Sequence, residues 1–234
     1  MLYNNPNIQN HRQWIQGGTP MKKPLLAVIA LMIGLPAAHA AANYEPVTTE
    51  QQSVGENQTL TETQGRVSVA VRYVPVPEKT IVFHPNGGGN ISETFSPYAF
   101  KNVVNTRVFH VTITNNDSRI LGATQARVQV TLDGLPQEAM SRDQIGEMWR
   151  KYHYLNTNTI TGAPNFMEQE RAIVAEHFVH QHHFRPGDVP PGGEISGYIA
   201  IPASVDPSSV RVRVFNLGDQ MTPMAFQFRF QAKG

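Results

Sequence analysis

From residue 66 onward the chain alternates apolar and polar side chains with the two-residue period of a strand that buries one face. Val67, Val69, Val71 and Tyr73 point one way, and Arg66, Ser68 and Arg72 the other. Pro75 and Pro77 end that run, because proline cannot donate to a strand ladder. A short apolar run over 80–84 is cut by Pro85 and by the loop Asn86-Gly87-Gly88-Gly89-Asn90. No Lys-Ser or Lys-Thr follows those glycines, so they read as a tight loop and not as a phosphate cradle. The segment 105–115 (NTRVFHVTITN) is the strongest central strand, with Phe109, Val111 and Ile113 on one face. In 124–132, Ala126, Val128, Val130 and Leu132 face inward, and Gln125, Arg127, Gln129 and Thr131 outward.

Near residue 140 the period changes to that of a helix. Ser141 is placed to cap the Gln144 N–H while Gln144 reaches back, and Met140 to staple against Ile145. Ile145, Met148, Trp149 and Tyr152 keep helical spacing on one face. After a polar loop at 156–165, a second helix is predicted over 166–183, with Phe166, Ile173, Val174 and Phe178 as its apolar side. The strand period returns after Pro190-Pro191-Gly192-Gly193. Ile195, Gly197, Ile199 and Ile201 alternate with polar or small neighbours, as do Val210, Val212 and Val214 with Arg211, Arg213 and Phe215. The last strand places Met224, Phe226, Phe228 and Phe230 on one face. Strands near 66–74, 80–84, 91–100, 106–114, 124–132, 194–201, 209–216 and 223–231, with no βαβ alternation, predict a mainly β chain built as an antiparallel sandwich. Residues 137–184 form a two-helix insertion in it.

The N-terminal part carries different signals. Met21-Lys22-Lys23, an apolar run over 24–35 and Ala38-His39-Ala40 together form a signal peptide over 21–40, cleaved before Ala41. The apolar run is too short to span a bilayer as a helix. Residues 1–20 lack a hydrophobic period and read as an over-called start upstream of Met21. Residues 41–65, rich in Thr, Gln, Glu and Asn, read as a flexible linker ahead of a sandwich domain at 66–234.

Cleavage changes the charge. Removing Arg12, Lys22 and Lys23 leaves 16 Lys and Arg against 18 Asp and Glu, a formal charge of −2 in place of +1. A general nucleic-acid or anionic-membrane binder needs a basic surplus that this chain lacks. There is no cysteine, so disulfides, thiol chemistry and a lipoprotein anchor are excluded. No later stretch has the length of a transmembrane helix. The expected location is the periplasm or the exterior.

The strand that ends in Thr114-Asn115-Asn116-Asp117, the later Pro191-Gly192-Gly193-Glu194-Ile195-Ser196-Gly197-Tyr198-Ile199 and the strand Pro207-Ser208-Ser209-Val210-Arg211-Val212 carry a resemblance. Together they resemble immunoglobulin-like accessory domains of exported bacterial proteins, in which a Pro-Gly turn and a Gly-Tyr strand commonly precede the last strands. The match covers 105–115 and 189–215, under a quarter of the chain, and the helical insertion departs from it. The resemblance implies an immunoglobulin-like sandwich without an assigned activity.

Candidate chemistry concentrates in the histidines. His177, His180, His182 and His183 fall within seven positions, and His153 lies on the preceding helix. His177 and His180 are one helical turn apart, a spacing that lets two imidazoles reach one Zn or Cu ion, with His153 as a third ligand if the helices pack antiparallel. The order Glu176-His177-x-x-His180 is not the zincin H-E-x-x-H. The same residues also read as a polar helix end favoured by the dipole, or as a patch that charges below about pH 6.5. No Gly-x-Ser-x-Gly, Ser-x-x-Lys or paired carboxylates on a strand face point to an enzyme. Two partner surfaces are predicted. One is the aromatic set Trp149, Tyr152, Tyr154 and Phe166 on the insertion. The other is the outward set Arg127, Arg211, Arg213 and Arg229, which reads as a basic face for an acidic protein or polysaccharide, or as plain cover for an exposed sheet. The expected function is a non-enzymatic, exported binding or envelope-assembly module without a cofactor, with the insertion as its partner surface; the alternative is a periplasmic Zn- or Cu-binding protein.

Overall fold

A computed structural model of the chain describes residues 43–75, 79–83, 91–100, 106–157, 166–203 and 206–233. The predicted signal segment, residues 1–20 and the Asn86–Asn90 loop lie outside the described residues. In chain order the strands are β1 (Tyr44–Val47), β2 (Gln52–Val54), β3 (Leu60–Gln64), β4 (Val67–Val74), β5 (Lys79–Phe83), β6 (Ile91–Phe95), β7 (Thr106–Asn115), β8 (Arg127–Leu132) and β9 (Leu135–Gln137). Helices α1 (Arg142–Thr157) and α2 (Phe166–His182) follow, then β10 (Glu194–Pro202), β11 (Ser209–Leu217) and β12 (Met224–Ala232).

The strands build two antiparallel five-stranded sheets and a separate β5–β6 hairpin. One sheet runs β1-β12-β11-β8-β9 and the other β10-β7-β4-β3-β2. The alternating residues meet as the sequence predicts. Val210, Val212, Val214, Phe226, Phe228 and Phe230 from the first sheet pack against Val67, Val69, Val71, Phe109, Val111 and Ile113 from the second. A mainly β, antiparallel sandwich with two inserted helices is therefore observed.

A second core lies on the outer face of the β10-β7 side. There Val108 and Ala200 meet Ile145, Trp149, Ala172, Ala175 and Val179 of the helices, together with Tyr98 and Phe100. Residues 96–100, expected to continue a strand, instead leave β6 in a turn, and their aromatic rings fill this second core. The α1 cap forms as predicted: Gln144 N–H donates to Ser141 Oγ at 3.2 Å, and Ser141 N–H to Gln144 Oε1 at 2.7 Å. Met140 and Ile145 are both buried in the same core. No helix among the described residues is long and apolar enough to cross a membrane.

Residues 41–65 are not a linker over the described part. Three strands form between Tyr44 and Gln64, and Tyr44 and Leu60 are buried in the sandwich core. The composition misleads because this edge is held by amides as much as by apolar contact. Gln52 Nε2 donates to Glu62 Oε2 at 2.9 Å and to the Gln227 carbonyl at 2.6 Å. Gln64 Nε2 donates to Glu62 Oε1 and to the Ala225 carbonyl, both at 2.8 Å. These side chains tie the β2-β3 edge to the backbone of β12 in the opposite sheet and satisfy the buried Glu62 carboxylate.

The apolar side of α2 also differs from expectation. Ile173 is 59 % exposed, whereas Ala172, Ala175 and Val179 are buried. Small residues let α2 approach its neighbours closely, so the side with the smaller side chains turns inward.

Candidate functional site

The register of the first sheet brings residues distant in sequence onto one open face. Arg211 of β11 lies opposite Thr131 of β8 and Arg229 of β12. One row along, Arg213 lies between Gln129 and Gln227; the next row is Arg127, Phe215 and Ala225. These nine outward positions on three neighbouring strands hold four arginines and no aspartate or glutamate. All four arginines are exposed. Among the described residues none of them makes an ion pair, although Arg66, Arg107, Arg119, Arg142, Arg150 and Arg171 do. The Arg213 guanidinium stands over the Phe215 ring, 5.0 Å from its centroid, which restricts where that cation points. A shallow groove of about 360 Å³ runs beside this face, between Arg127, Gln129 and Phe215 on one side and Pro136, Gln137 and Glu138 on the other.

The aromatic set on the insertion does not present a surface at its one described side chain. Trp149 is 2 % exposed, its Nε1–H donates to the Pro97 carbonyl at 2.7 Å, and its ring packs on Phe95 and Phe100. It anchors the insertion to the sandwich and is not available to a partner. The side chains of Tyr152, Tyr154 and Phe166 lie outside the described residues.

The histidines divide between solvent and core. His177, His180 and His182 are exposed, and His183 is half-buried. His177 contacts Gln181, while the Arg185 guanidinium lies 3.4 Å from His180 Nδ1 and donates to its backbone carbonyl, which puts a cation beside that ring. His182 packs on Phe178, 4.5 Å between ring centres. Among the described residues no three His, Asp or Glu side chains come close enough to hold a metal ion, and the side chain of His153 lies outside them.

His183 turns into the second core, where its Nδ1 lies 3.5 Å from the Tyr98 hydroxyl. Burial pushes its pKa down to about 4, with Arg142 and Arg185 acting in the same direction and a hydrogen bond to the Met140 backbone opposing them. His110, which packs edge-on against Tyr198, is likewise lowered, first by burial and then by Arg72 and His182. The pH dependence follows from the sign of the His183 shift. The unfolded chain takes up a proton near pH 6.5 that the folded chain refuses until about pH 4, so its contribution is intact above that window and lost as pH falls through it. We expect the free energy of urea unfolding to fall between pH 7 and pH 4, by up to about 3 kcal/mol for this group. The His183→Phe variant should lose much of that pH dependence; an unchanged slope would show that His183 does not report it.

A further cavity, of about 510 Å³, opens at one end of the sandwich between Thr124, Gln125, Asp188, Asn216 and Gln220. Sequence reasoning did not find it, since its walls come from three separate turns. Asp188 Oδ1 is already occupied by the Thr124 hydroxyl at 2.7 Å and the Ala123 N–H at 3.2 Å, contacts that hold its carboxyl below the usual range. Its role on this geometry is to fasten the turn.

Compared with known proteins, the chain matches no family model, no curated protein and no solved structure.

Proposed function

We propose that this chain is a non-enzymatic accessory module of the bacterial envelope, exported by the segment at 21–40, that binds an acidic partner on the open face of β8, β11 and β12. Its immunoglobulin-like character is part of the same proposal. It is supported by the junction of the two segments that carry the resemblance: the buried Asn115 side chain donates to the Val189 and Pro190 carbonyls, and its backbone N–H to the Gly193 carbonyl. The first described strand begins at Tyr44, so cleavage before Ala41 leaves every described strand intact.

The observation that carries the binding reading is the arginine grid, which forms no ion pair among the described residues. Arginines often protect exposed strand edges, but β11 is the central strand of its sheet and the edges are β1 and β9. Arg211 and Arg229 also stand directly opposite one another, an arrangement that costs stability unless an anion lies between them. Such a cost is tolerated where a face serves a ligand.

The test substitutes all four arginines with glutamine. Retention of the folded protein on a carboxylated matrix at low salt should be abolished. Its unfolding free energy should stay the same or rise by up to about 1 kcal/mol, because like charges have been removed. If the arginine stems were only covering the sheet, the same variant would lose stability, and that outcome would overturn the reading.

A further inference from the structure

The arginine face also constrains what kind of anion it takes. From strand geometry the three rows on three strands span about 10 by 14 Å, an open and nearly flat area that cannot enclose a small ion. A ligand that holds there must be extended and touch several rows. Each row mixes functions: Thr131-Arg211-Arg229, Gln129-Arg213-Gln227 and Arg127-Phe215-Ala225. Guanidinium forks match carboxylates in plane, while the two glutamine amides and the Thr131 hydroxyl both donate and accept, as sugar hydroxyls require.

We propose that the occupant is a linear, carboxylate-bearing polysaccharide of the polyuronate type, laid across β8, β11 and β12. This rests on the acidic-partner reading above and narrows it. An acidic peptide lying extended with its carboxylates toward the arginines turns its backbone N–H and C=O groups sideways, parallel to the face, and matches the glutamines on either side of Arg213 less well than ring hydroxyls do. A bilayer would find only one large apolar ring among the nine positions, half-buried Phe215, with the Arg213 guanidinium over it. Phe215 instead steadies Arg213, which lowers the entropy lost when that cation pairs with a carboxylate.

The experiment titrates the exported chain with polygalacturonate, the same polymer with its carboxyls reduced to alcohols, polyglutamate, and phosphatidylglycerol vesicles, at matched ionic strength. Polygalacturonate should bind and its reduced form should not. Arg211→Gln with Arg229→Gln should weaken polygalacturonate by at least about tenfold. Gln129→Ala with Gln227→Ala should weaken polygalacturonate about threefold or more and leave any residual polyglutamate binding unchanged. Polyglutamate or vesicles bound as tightly as polygalacturonate, in an arginine-dependent way, would overturn the polysaccharide inference and leave the acidic-partner reading standing. Binding to none of the four would overturn both. Polygalacturonate binding that survives the arginine substitutions would remove the polymer from this face.

Discussion

The Gly197→Ala protein is expected to be destabilised by about 2–4 kcal/mol, an unusual cost for a single methyl group. A Cβ at Gly197 would sit 2.5 Å from Phe184 Cα, 2.6 Å from Phe184 N and 2.9 Å from the His182 carbonyl oxygen. All three are backbone atoms, so no side-chain rotation relieves the clash. The strand β10 and the segment 182–184 would have to part. Their separation breaks the Phe184 N–H to Tyr198 carbonyl bond of 2.9 Å and the isolated parallel bridge between His183 and Tyr198. Overpacking of about 1–3 kcal/mol and a lost buried hydrogen bond of about 1 kcal/mol give the expected figure. Phe184 lies in the sandwich core and His183 contacts Tyr98 of the second core, so the same displacement loosens both. Urea unfolding of the variant checks this; a loss under about 1 kcal/mol would mean that the segment after α2 does not lie against β10.

The second large effect is expected at Trp149. Trp149→Ala removes the indole from a site bounded by Phe95 and Phe100 and leaves the Pro97 carbonyl without its donor. Such a truncation costs about 3–5 kcal/mol, and here the loss falls on the contact between insertion and sandwich. Near-UV dichroism from the tryptophan environment should vanish, and helical signal should melt ahead of sheet signal where the parent melts in one step. Ile173→Ala is the control, since that side chain is largely in solvent and its removal should stay within about 0.5 kcal/mol. If the two variants unfold alike, the insertion does not pack on the sandwich through Trp149 with Ile173 turned to solvent.

Both contrasts show where sequence was sufficient. Strands β4, β11 and β12 were legible because each buries one face, and β7 and β10 because their large residues still alternate although Val108 and Ala200 bury part of the other face. The α1 start was legible because a cap is a local contact between Ser141 and Gln144. Strands β1, β2 and β3 were not. They sit at sheet margins, bury little beyond Tyr44 and Leu60, and hold their interior side through glutamine amides, which in a sequence look like solvent-loving residues. Trp149 was misjudged for a related reason: aromatics on an appended helix look the same whether they face a partner or their own sandwich, and Pro97, which decides it, lies 52 residues away. The arginine face was half legible. Alternation turned each arginine outward, but only the pairing of β11 with both β8 and β12 shows that they share one surface.

The pairing of the first and last strands also sets how the domain carries load. Tyr44 lies opposite Ala232, and Lys233 N–H donates to the Asn43 carbonyl at 2.8 Å, so the two ends of the described fold leave from the same corner. A pull between an attachment before β1 and another after β12 acts across the ladder and not along it. The antiparallel bonds are then strained one after another, as in a zipper, and never share the force. A domain tethered through both ends would yield at β1 under modest tension while the other nine strands of the two sheets stay paired. One tethered through a single end, with the proposed ligand on β8, β11 and β12, would bear its load through the body of the sheet instead.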